Sequence, residues 1–148
     1  MNVLTRIVRS VGVAAAAGLL LSASLCDKAD GTSNSDLRDW TDDLAFRIST
    51  DPLPPIAREK ILYKVLVRDK KSGEPIANGE GRIFATSKDG ANTWDALTPG
   101  REPGSYYGSL NYITAGDWAI AIQFRRDTTQ AMERIDWVQG VHAARGPN

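Results

Sequence analysis

The chain predicts an all-β sandwich of about seven antiparallel strands. Three observations carry this. Apolar residues recur at every second position in short runs, clusters of Gly, Pro and Asp stand between those runs, and no segment repeats with a helical period. With 148 residues there is room for one domain and a terminal segment.

The terminal segment comes first. Residues Met1 to Ser10 hold Arg6 and Arg9 and no acid, Val11 to Leu21 is an unbroken small and apolar run, and Ser22, Ala23 and Ser24 follow. A basic start, a short apolar stretch and a small-residue exit make residues 1–25 a secretory signal. The apolar run to Leu25 is shorter than the ~20 residues that span a bilayer. Leu21-Ser22-Ala23-Ser24-Leu25-Cys26 resembles a lipobox, with Leu25 where Gly or Ala is expected. Two outcomes follow for Cys26. Diacylation tethers the mature chain to a membrane by its first residue. Cleavage after Ala23 or Ser24 instead leaves a soluble chain with one free thiol in an oxidising space.

Residues 26–38 read as a flexible linker, because Asp27 to Ser35 are small and polar without apolar periodicity. Asp36, Asp39, Asp42 and Asp43, with Trp40 among them, read as a solvated lead-in to a domain over residues 39–142; their spacing matches no EF-hand loop. The whole chain carries 18 basic and 18 acidic residues. Without Arg6 and Arg9, sixteen basic residues face eighteen acids, a net charge of about −2. Neither sign is concentrated enough to point to nucleic acid or an anionic membrane surface. A single cysteine forms no disulfide within the chain, so stability rests on a packed core.

The strands follow in order. Leu44, Phe46 and Ile48 alternate with Ala45, Arg47 and Ser49 until Pro52, Pro54 and Pro55 stop the run. Over Lys60 to Arg68, Ile61, Tyr63, Val65 and Val67 share the core face. Asp69 to Pro75 is a turn. In Glu80 to Thr86, Arg82 and Phe84 lie opposite Ile83 and Ala85; Thr93 to Thr98 is a short strand around Trp94 and Leu97. Pro99 to Gly104 is the longest breaker cluster. Next, Tyr106, Gly108, Leu110 and Tyr112 align on one face, as do Trp118, Ile120, Ile122 and Phe124. These two runs read as a β-hairpin at the centre of the sandwich, reversed at Gly116. Glu133 to Val141, with Ile135 and Trp137 on one face, is the last strand, and residues 143–148 read as a frayed tail.

Several of these residues also carry a likeness. Asp51-Pro52-Leu53-Pro54-Pro55, Leu62 to Asp69, Gly73-Glu74-Pro75-Ile76, Pro103-Gly104 with Tyr106 or Tyr107, and Ala115-Gly116-Asp117-Trp118 with Ile120 and Ile122 resemble the YtkA-like and FixH-like bacterial envelope domains. The likeness runs over about Ile48 to Phe124 and implies an immunoglobulin-like β-sandwich in the periplasm or on the outer face of a bacterial membrane. Copper-handling members of that group use Met, His or Cys as ligands. Here those residue types are Met132, His142 and Cys26, far apart along the chain. FixH-like proteins also keep an N-terminal membrane helix, which the apolar run only partly supplies.

No motif for chemistry assembles. One histidine, in the tail, gives no Ser-His-Asp set, and one cysteine gives no C-x-x-C. Asn78-Gly79-Glu80-Gly81 reads as a turn, not a phosphate loop. Asp117 beside Trp118 has the look of a sugar-site acid, against which stands a turn Asp bonded to its own backbone. Asp95, Glu102 and Asp127 fall in segments able to meet at one end of the sandwich. Trp94, Tyr107 and Trp137 are the candidate partner-binding residues, on outward faces or loop edges. The expectation is a non-catalytic, exported binding or accessory module that needs no cofactor and docks on another envelope protein. Copper delivery is the other reading, and a hydrolase of unknown type a remote third.

Overall fold

The computed structural model describes residues 36–144 and 146. The signal segment, Cys26 and the linker up to Ser35 lie outside the described residues. All regular structure among the described residues is strand: β1 (Leu37–Trp40), β2 (Leu44–Asp51), β3 (Lys60–Asp69), β4 (Glu80–Ser87), β5 (Asn92–Pro99), β6 (Ser105–Asn111), β7 (Gly116–Arg125) and β8 (Glu133–Val141). They join in the order β1-β2-β3-β6-β5-β4-β7-β8, with every neighbour antiparallel. Two four-stranded layers result, β1-β2-β3-β6 and β5-β4-β7-β8, continuous through β5 and β6.

That join is slender. Only Thr98 with Tyr107 and Pro99 with Tyr106 are in register across it. The Asp95 carboxylate reinforces it by accepting the Ser109 N–H at 2.8 Å and the Ser109 hydroxyl at 3.0 Å. On the opposite side β1 and β8 are the two free edges, so the sheet nearly closes into a barrel without doing so.

The strand count is eight, against seven expected. The extra strand is β1, formed by residues read as the end of the linker and its solvated lead-in. Leu37 pairs with Ile48, and the Asp36 carboxylate takes Arg47 Nε and the Ser49 hydroxyl, each at 2.5 Å. Four residues are too few for alternation to be seen, and their charged partners lie in another strand. The other seven strands fall where alternation places them.

The central hairpin is not formed. β6 lies between β3 and β5 in one layer, whereas β7 lies between β4 and β8 in the other. Tyr112 to Ala115 therefore arches from one layer to the other, with Tyr112 buried and Ile113, Thr114 and Ala115 exposed. The reason is packing: in a hairpin the aromatic residues of both runs would line one face, side by side. In the arch they meet edge to face across the core, Tyr112 on Trp118 with centroids 5.0 Å apart and Tyr106 on Phe124 at 4.9 Å. Trp118 Nε1 donates to the Thr114 carbonyl at 3.1 Å, which fixes the arch.

The core faces are those the alternation predicts. Leu44, Phe46, Ile48, Ile61, Tyr63, Val65, Val67, Ile83, Ala85, Leu110, Ile120 and Ile122 are all buried. Tyr106 also closes the loop before β4: its hydroxyl accepts the Gly79 N–H at 2.9 Å and donates to the Ile76 carbonyl at 2.5 Å. Gly79 is needed at that point, since a Cβ there would stand 2.2 Å from the Phe124 ring. Replacing Tyr106 by Phe leaves a buried N–H and carbonyl without their partner. The expected cost is about 1–3 kcal/mol, read as a lower urea midpoint at unchanged slope.

Candidate binding surface

The outer face of the β5-β4-β7-β8 layer carries the most unusual side chains. Alternation sends Arg82 and Phe84 outward on β4 and Trp94 outward on β5, and register places Trp94 directly opposite Phe84. Trp94 is 67% exposed. Two guanidinium groups cover the Phe84 ring: Arg82 at 5.7 Å and Arg134 at 5.1 Å from its centroid.

Both arginines are held in place. Arg82 Nε donates to Gln123 Oε1 at 2.9 Å. Arg134 forks onto Asp136, with Nε at 2.9 Å from Oδ2 and Nη2 at 2.6 Å from Oδ1. That bond raises the Arg134 guanidinium and lowers the Asp136 carboxyl, so the pair stays charged. Among the described residues Arg82 has no carboxylate partner. Between the aromatic rings lies an open cleft of about 290 Å³, bounded by Arg82, Phe84, Thr86, Asn92, Thr93 and Trp94.

Tyr107, also expected to be exposed, is 45% exposed on β6. It stands opposite Lys64 on one side and Thr98 on the other, beside a separate cleft with Leu62, Lys64, Arg47 and Ser49. Trp94 and Tyr107 are thus both on the outside of the sheet, four residues apart along β5, but they line different clefts. Trp137 does not join them. It points inward and packs, half-buried, against the core near Leu37 and Ile48. Its Nε1 donates to Gln139 Oε1 at 3.5 Å, and the same oxygen accepts the Tyr63 hydroxyl at 3.1 Å. Tyr63 in turn shares a 2.5 Å hydrogen bond with the buried Tyr112 hydroxyl.

The acids singled out in the sequence have local partners. Asp95 secures β6, Glu102 pairs with Lys64 at 3.3 Å, and Asp127 accepts the Thr129 N–H at 2.8 Å within its own turn. The hydrogen bonds from Thr129 hold the Asp127 carboxyl below the usual range. Asp117 is exposed at the start of β7. Met132 and His142 flank β8 at opposite ends, about 33 Å apart along an extended strand. Among the described residues no three His, Cys, Asp or Glu side chains come together as a metal site.

Phe84, Arg82 and Arg134 were not singled out in the sequence. Their signal was present in part: Phe84 is a large aromatic on the strand face opposite Ile83 and Ala85. The arginine partners come from β4 and from β8 two strands away, a proximity that only the strand order creates.

No protein-family model matches the chain, and no curated protein matches it. Solved structures do match in fold. A DUF4426 family protein from Pseudomonas aeruginosa aligns with TM-score 0.56 at 10% identity, over 72% of this chain and 94% of that one. FetP of uropathogenic Escherichia coli, recombinantly expressed in the periplasm of E. coli, aligns with TM-score 0.53 at 7% identity, over 72% and 93%. A copper-bound variant of FetP gives 0.52 at 6%, over 76% and 94%. At these identities the likeness is one of fold. Over its described residues the chain is an all-β, eight-stranded antiparallel sheet with the same fold as these neighbours.

The buried tyrosine pair sets a pH dependence. Burial pushes the Tyr63 phenol up to about 12, and burial, with the neighbouring Tyr63 adding to it, pushes Tyr112 in the same direction. An unfolded tyrosine ionises near about 10. The stabilisation from keeping both phenols neutral is thus fully present below that value and is lost as pH rises through about 12. Urea midpoints should stay level to about pH 9 and then fall. The double variant Tyr63→Phe/Tyr112→Phe should show a shallower fall.

Proposed function

We propose that this protein is an exported, non-catalytic binding module of the bacterial envelope, an immunoglobulin-like sandwich that docks another envelope protein through the surface centred on Trp94. The observation that carries this reading is the exposed Trp94 set against Phe84, with Arg82 and Arg134 fixed over the second ring. Trp and Arg are the side chains that most often dominate binding energy at protein interfaces. Here they are anchored on strands, so little ordering cost accompanies binding. Their face also contributes nothing obvious to the core, since Trp94 covers no buried cluster.

Export rests on the basic, apolar and small-residue order of residues 1–25 and is supported by the FetP neighbour, which was expressed in the periplasm. The YtkA-like and FixH-like resemblance points to the same compartment. Copper delivery would need donors from both ends of β8 or from beyond the described residues, and the binding reading accounts for more of the surface.

The test is a photo-crosslinker placed at Thr93 and, as a control, at Glu74, in cells expressing the full chain. A single defined adduct from Thr93, absent from Glu74, is the expected result. Trp94→Ala should weaken binding of the captured protein by about 2 kcal/mol or more, roughly 30-fold, with an unchanged unfolding curve. Equal adducts from both positions, or an unaffected affinity in Trp94→Ala, would sink the proposal.

A further inference from the structure

The two free edges of the sheet are unequal. β1 has four residues, whereas β8 has nine. At the far end of β8, His142 shows which way the edge points: its N–H donates to the Pro55 carbonyl and its carbonyl accepts the Ala57 N–H, both at 2.8 Å and both on the side away from β7. Successive residues of a strand direct their backbone groups to opposite sides. Arg134, Asp136, Val138 and Gly140 share the parity of His142, so their N–H and C=O groups face the open edge. Among the described residues no backbone group pairs with them.

Such an edge is a template for another strand unless it is blunted by Pro, Lys, a bulge or a short length. β8 has no Pro, no Lys and no bulge over nine residues, and the Pro55 to Ala57 segment covers it only at His142. It carries three charges: Glu133, on the core-side parity at its start and bonded to the Thr41 hydroxyl, and Arg134 and Asp136, two positions apart on the outer face, with Met132 just before the strand and Val138 flanking them. Met132 is 43% and Val138 69% exposed.

We propose that β8 pairs antiparallel with β8 of a second copy of this chain, in the register that sets Arg134 opposite Asp136 of the second copy. The two-fold axis then passes through Ile135. Each Arg134 faces an acid, and the existing Arg134-Asp136 pairs become one alternating four-charge cluster. On either side Met132 meets Val138 of the second copy, which covers both exposed apolar side chains. The neighbouring registers are worse. A shift of two places Arg134 opposite its own copy or Asp136 opposite its own copy, and like charges directly across a pair are destabilising. A further shift sets Asp136 against Val138 and Arg134 against Gly140, with no complementarity. The edge is thus self-complementary in one register, as an isologous contact requires. The dimer would hold an eight-stranded sheet, β5-β4-β7-β8 continued by its two-fold mate.

Sedimentation of the mature chain purified from the periplasm tests this. The wild type should sediment as a dimer that dissociates on dilution. Arg134→Asp and Asp136→Arg each place like charges across the axis and should weaken the dimer at least tenfold. The double variant Arg134→Asp/Asp136→Arg restores the pairing and should recover the dimer. Val138→Lys, at an exposed position, should weaken it independently of the charges. Circular dichroism and unfolding curves report that each variant is folded. A wild type that remains monomeric at high concentration overturns the proposal, whatever other protein pairs with the edge. So do single variants that leave the dimer intact, or a folded double variant that stays monomeric.

Discussion

The contact on which the rest of the structure depends is made across the interior by β6 and β7. Tyr106 meets Phe124 and Tyr112 meets Trp118 edge to face between the layers, at two levels of a core otherwise mostly aliphatic. Because these four rings come from strands adjacent in sequence, the connection between them must arch from one layer to the other. Once it does so, β6 is free to take β3 and β5 as neighbours, and β7 to take β4 and β8. The polar tips of the same rings are used as well. Tyr106 closes the loop before β4, and Tyr112 with Tyr63 and Gln139 forms a hydrogen-bonded group beneath the β8 edge. No buried side-chain nitrogen or oxygen among the described residues lacks a partner. The polar tips of the core aromatic residues are thus bonded as well as buried. The distinctive side chains stand outside the core.

On the outside, the aromatic residues are placed by the same alternation that builds the inside. Ile83 and Ala85 face the core, so Arg82 and Phe84 must face solvent, and register then fixes Trp94 opposite Phe84. Phe84 is partly shielded by two guanidinium groups, one held by Gln123 and the other by Asp136. Trp94 has no such cover. Trp94 thus stands exposed beside two cations whose orientation is already fixed.

Much of this was legible in the chain, for a definite reason. Period-2 alternation is a local property, so seven strands and nearly every core residue could be read from neighbours two positions apart. The failures are all non-local. Leu37 to Trp40 is a strand only because β2 offers Ile48, Arg47 and Ser49. The runs ending at Tyr112 and starting at Trp118 look like a hairpin because proximity in sequence says so, and only packing across the layers says otherwise. Trp137 alternates correctly with Ile135, but its degree of exposure depends on what the facing layer leaves uncovered. Phe84 was visible as an aromatic on an outer face; its meaning required Arg134 from two strands away. Asp95, read with Glu102 and Asp127 as an acid able to reach one end of the sandwich, is a structural tie, because Ser109 lies in a strand that barely pairs with its own.

That tie has a dynamic consequence. β4 meets β7 over eight register positions, whereas β5 meets β6 over two. Free energies of local opening follow the number of interactions that must break together. The sheet should therefore open first along this line, which is held by two ladder pairs, by Asp95 on Ser109 and by the Asn111 N–H on Thr93 Oγ1, while the aromatic contacts between the layers stay in place. β5 would then move with β4, carrying Trp94 relative to Tyr107 on the other side of the parting. The spacing between the two exposed aromatic side chains thus depends on how firmly this seam is held, and Asp95 contributes two of its side-chain bonds.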